Sequence, residues 1–127
     1  MRLLFVSLLF IGCAQAGEPS AIRENYELLS GCSVAYARKH ANSRLTATEM
    51  AAAAVASCDE YAWKLRDAAY NSMLSQATAH LTARQKQRFS ADLQNEAHSR
   101  AESIRADSIE RAKTVVLRFL AENHDES

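Results

Sequence analysis

An all-α fold follows from three features of the sequence. Apolar residues recur at steps of three and four from Ile22 onwards, alanine is abundant while β-branched runs are scarce, and two capping boxes, Thr46 with Glu49 and Thr82 with Gln85, restart the pattern after polar interruptions. The single proline, Pro19, precedes the first helical stretch, and of the three glycines only Gly31 falls inside one. The arrangement expected is a disulfide-stapled antiparallel helical hairpin plus a long third helix. That makes a three-helix bundle, or four helices if the second breaks near Asn71.

The first helix is read from Ile22, Tyr26, Leu29, Cys32 or Ser33, and Tyr36, which share one face. The polar run Asn42-Ser43-Arg44 ends it. Thr46 opens the second helix, and Ala51-Ala52-Ala53-Ala54 is the strongest helix-forming run in the chain. Val55, Cys58, Ala62, Leu65 and Ala69 carry its apolar face onward, with weaker helix formers at Asn71-Ser72 and Ser75 to Thr78. A third helix begins after Thr82 with the stripe Phe89, Leu93, Ala97, Ala101, Ile104, Ser108, Ala112, Val115 and Phe119. Opposite charges at helical spacing, Glu96 with Arg100, Glu102 with Arg105 and Asp107 with Arg111, mark its solvated side.

Cys32 and Cys58 lie thirteen residues either side of Leu45. In an antiparallel hairpin, positions equidistant from the turn sit at one height. Both cysteines fall on the apolar stripe of their own helix, so their sulfurs can meet without backbone movement. A disulfide is expected between them.

An oxidising compartment is read from the start of the chain. Met1-Arg2, the apolar run Leu3 to Ile11 and the small-residue pattern Ala14-Gln15-Ala16 form a secretory signal over residues 1–16, cleaved between Ala16 and Gly17. The apolar run is about half the length a bilayer-spanning helix needs. The mature chain is then expected without a membrane span, in the periplasm or secreted. Phe10-Ile11-Gly12-Cys13 resembles the bacterial lipoprotein box, which implies the alternative of a lipid anchor on Cys13; Phe10 stands where that box usually has leucine. A single helical domain is expected over 17–122, followed by an acidic tail at 123–127.

Removing the leader takes away Arg2 and no acid, leaving 14 basic and 15 acidic residues. Such a balance gives no general attraction to nucleic acid or an anionic membrane. Arg84, Lys86 and Arg88 are basic but lack the interleaved aromatics of single-strand binders and read as a solvated face. The histidines, His40, His80, His98 and His124, form no metal-ligand cluster; His98 with Glu102 supplies only two ligands. No nucleophile–base pair, CxxC or glycine-rich phosphate loop is present, and Asp59-Glu60, as helix neighbours, point about 100° apart. No cofactor, no metal and no catalytic residue is therefore nominated, and the chain is not read as an enzyme.

Helix lengths supply the functional hint. The first helix is about half as long as the other two. If the third returns beside the second, Ile104 comes level with Cys58, and Leu28, Leu29, Val55, Ile104, Val115 and Phe119 share a three-helix core. Leu65 to Leu81 would then face Lys86 to Ala97 as a bare two-helix arm, and two helices alone bury little. Met73, Leu74, Leu81, Phe89 and Leu93 are expected to meet a protein partner or a second copy, with Trp63, lying off the apolar stripe, as a further contact. A structural spacer tethered through Cys13 is the alternative role.

Overall fold

The computed structural model describes residues 20–124, all helices and short turns: α1 Ser20–Lys39, α2 Ala47–Ser57, α3 Asp59–Thr78 and α4 Ala83–His124. The proposed leader, the Ala16/Gly17 junction, Cys13 and residues 125–127 lie outside the described residues. No described helix is long and apolar enough to cross a membrane.

Both capping boxes form. Thr46 Oγ1 accepts from the Glu49 amide at 3.2 Å while the Thr46 amide donates to the Glu49 carboxylate at 2.8 Å. Thr82 and Gln85 make the same reciprocal pair at 3.2 and 3.0 Å. Each box satisfies two amides that a helix start leaves without partners.

The expected long second helix is interrupted, and the break falls at Cys58. The Cys58 backbone, at φ −107° and ψ 20°, leaves helical geometry. Its amide turns back onto the Val55 carbonyl at 3.1 Å, and its own carbonyl takes the Tyr61 amide. Asp59 and Glu60 then open α3, where acidic residues suit the positive end of the helix dipole. The break near Asn71, held as the alternative to a continuous second helix, is absent: α3 runs unbroken to Thr78. Its polar side chains there bond along their own helix, Thr78 Oγ1 to the Leu74 carbonyl at 2.8 Å and Gln76 Nε2 to Ser72 Oγ at 3.3 Å.

Three buried groups run along the molecule. At one end Ala37, Met50, Ala51, Ala54 and Val116 join, with Phe119 and Leu120 partly buried against them. In the middle are Leu29, Val55, Cys58, Ala62 and Ala112. Next come Ile22, Leu65, Ala69 and Ala101, with Tyr26, Tyr70 and Ile104 alongside. Val116 packs at the start of α2, against Met50, Ala51 and Ala54. Ile104 does not meet Cys58; Ile109 and Ala112 do. The seam of α4 is made of small residues, Ala97, Ala101, Ser108 and Ala112, so close approach sets the register and the larger Ile104 is left at the side. Leu28, expected in the core, is 45% exposed because Leu29 takes the inward position on α1. Val116, with Val115 only partly buried, takes the inward position on α4.

Cys32 and Cys58 are bonded, with their Cα atoms 6.0 Å apart. The staple joins the middle of α1 to the α2–α3 break, so one covalent link fixes α1 against both. Helix α4 runs through Asn123 and His124, beyond the expected domain limit, with the Asn123 amide donating to the Phe119 carbonyl at 2.8 Å.

Candidate binding surface

No residue from Tyr70 to Glu96 is buried. The core stops at Ala69 on α3 and at Ala97 on α4 because α1 stops there: Ile22, one turn from its start, fills the seat between Leu65, Ala69 and Ala101. Beyond Ile22 the two long helices continue alone, and this stretch is the arm. Its apolar side chains are Met73, Leu74, Leu81 and Leu93, all partly buried, and Phe89, 41% exposed.

Met73 and Leu93 come together. With Ala77, Glu96, Ala97 and Arg100 they line a cleft of about 90 Å³ between α3 and α4. Met73 is one turn beyond Ala69 and Ala97 one turn before Ala101, so the cleft prolongs the seat that α1 occupies. From Asn71 to Thr78, α3 carries no acidic or basic side chain. On α4 the Glu96–Arg100 ion pair, at 2.7 Å, borders the cleft. Arg84, Lys86 and Arg88 are exposed, and Arg88 lies 5.5 Å from the Phe89 ring centre.

Trp63 lies in the first turns of α3 and is 45% exposed. Its indole Nε1 donates to Asp59 Oδ2 at 2.7 Å, and the Arg105 guanidinium stacks 4.1 Å from the ring centre. Arg105 also donates to Asp59 Oδ1 at 3.0 Å. Asp59, Trp63 and Arg105 thus form one clamp between α3 and α4.

A second polar cluster was not legible in the sequence. Arg66 donates to Glu102 and to the His98 ring, and ion-pairs with Asp67 at 3.1 Å. Tyr70 packs on His98 with ring centres 5.1 Å apart. Because a guanidinium only donates, the His98 nitrogen facing it accepts. His98 and Glu102, the one spacing with any metal-ligand character, are therefore both turned to a cation the protein itself supplies. No group of three or more His, Cys, Asp or Glu side chains suited to a metal occurs among the described residues. Of the three ion pairs read along α4, Glu96–Arg100 forms; Glu102 and Arg105 instead reach across to α3, and Asp107 and Arg111 make no ion pair among the described residues.

At the opposite end a wider groove of about 750 Å³ runs between the α1–α2 turn and the end of α4. Leu45 and Leu117, 46% and 37% exposed, lie on its walls with Met50 and Leu120. Both leucines sit off the helical stripes, which is the only sequence sign of this groove. No protein-family model matches the chain, and no curated protein or solved structure matches it.

Proposed function

We propose that this is an exported, non-catalytic binding protein. The half stapled by Cys32–Cys58 serves as a three-helix scaffold, and the α3–α4 arm presents the surface on which another protein chain docks. One observation carries this reading: the arm places Met73, Leu74, Phe89 and Leu93 on two helices, and Leu81 in the turn that joins them, with no residue buried between Ala69 and Ala97. Unsatisfied apolar surface on a helical pair, bordered by charges, suits helix-on-helix association. Export is supported by the signal-like first sixteen residues and by the disulfide, a bond that persists in oxidising compartments; periplasm and secretion both satisfy it.

The test is assembly of the protein purified natively from its host. Leu81→Asp and Phe89→Asp should each lower the mass of the assembly measured by light scattering, while helicity and thermal midpoint stay those of the parent. Assemblies of unchanged mass in both variants would sink the proposal.

The tethered alternative draws on the bond between Cys32 and Cys58, which leaves Cys13 as the remaining cysteine of the sequence, inside a lipoprotein-like box. On that reading the protein resists detergent-free extraction from membranes and Cys13→Ser releases it. Full recovery of the parent protein without detergent would dispose of the tether.

A further inference from the structure

We propose that the occupant of the arm is the arm of a second copy, laid antiparallel about a two-fold axis level with Ala77 and Ala91. The inference rests on the binding reading above and names its partner. Counting from the contact between Arg66 and Glu102, eleven residues on along α3 and eleven back along α4 bring Ala77 level with Ala91.

The face of α4 beside the cleft reads Lys86, Phe89, Leu93, Glu96, at steps of three, four and three, which keeps all four on one side. A two-fold axis at Ala91 inverts this order onto itself. Phe89 and Leu93, each two residues from Ala91, face each other across the axis. Lys86 and Glu96, each five residues away, do the same with opposite charge. An isologous interface requires this kind of self-complementary pattern. A parallel pairing would set Lys86 against Lys86 and Glu96 against Glu96, which charge repulsion disfavours. Lys86 has no ion-pair partner among the described residues, so its charge is available to a second chain.

The experiment uses the oxidised chain from Gly17 to Ser127. Sedimentation equilibrium should show a monomer–dimer equilibrium. Lys86→Glu and Glu96→Lys should each raise the dissociation constant about tenfold, and the two together in one chain should restore it. A strict monomer at every concentration, or a double variant as weak as the singles, overturns the antiparallel pairing. A photo-reactive residue at Leu93 in the native host separates this inference from the broader one. Crosslinking to a second copy supports it. Crosslinking only to a different protein overturns it while leaving the binding reading standing. No crosslinked species at all overturns both.

Discussion

Gly31 sits in the interior of α1 on an exposed face, and a methyl group added there would meet no atom within 4 Å. Its backbone is not in the left-handed region. Glycine therefore gives α1 nothing here that alanine would not, and it costs the helix backbone entropy. Gly31→Ala should raise the unfolding free energy by about 0.5–1 kcal/mol in urea melts; a loss of stability would mean that this face of α1 is covered in solution. Trp63 is the only tryptophan and reports on its own clamp. Arg105→Ala uncovers one face of the indole and removes a partner of Asp59, so the emission should shift to the red while the far-ultraviolet dichroism is kept. An unshifted spectrum would mean the arginine does not shield the ring. The residues that make this clamp show how far the sequence could be read. Glu102 and Arg105 have the spacing of an intrahelical pair, and periodicity alone favours that pairing. Asp59 and Arg66 on α3 compete for them and win, because those positions face α4, and which positions face a neighbour depends on a register the sequence does not print.

The disulfide and the break at Cys58 belong to the scale of the element. The staple was legible because symmetry about a turn and shared apolar stripes are properties of the sequence. The break was not. Val55, Cys58, Ala62, Leu65 and Ala69 keep an unbroken helical period, so the apolar pattern passes through the interruption without a sign, and the alanine run before it argues for continuity. Only Ser57-Cys58-Asp59-Glu60, a string suited to a helix start, hinted at it. The staple links helices that already touch, so its main effect is on the unfolded chain, where it closes a loop with a sequence separation of 26 residues. Replacing both cysteines by alanine should cost about 3 kcal/mol in urea unfolding under identical conditions. Helical content should be retained, because α1 still buries Ile22, Leu29, Ser33 and Ala37. The cap at Thr46 is a smaller contribution: Thr46→Ala should cost about 1 kcal/mol, and a larger loss would show that α2 depends on its start more than on Met50, Ala51, Ala54 and Val55, its buried face.

At the scale of the whole molecule, the length of α1 decides the division of labour. That division was legible because a first helix about half the expected length of the other two must leave part of them uncovered; the shape of the uncovered part was not, since it follows from the small-residue seam of α4 and the break at Cys58. Helices α3 and α4 are continuous from the stapled half into the arm, yet their surroundings change at Ala69 and Ala97. Local opening is governed by the apolar contact a segment would lose, so a continuous helix need not be uniformly stable. Amide hydrogen exchange should resolve the boundary. Amides of Leu29 to Ala37, Ala51 to Val55, Ala62 to Ala69 and Ala101 to Val116 should exchange through openings close to global unfolding. Amides from Met73 to Thr78 and from Phe89 to Leu93 should exchange through much smaller openings in a dilute sample. Raising the protein concentration should then slow exchange in the arm and leave the stapled half unchanged, since a second copy adds contacts only where the first lacks them. Equal protection along the full length of α4 at low concentration would mean the arm needs no cover, and both the binding surface and its pairing with a second copy would lose their physical basis.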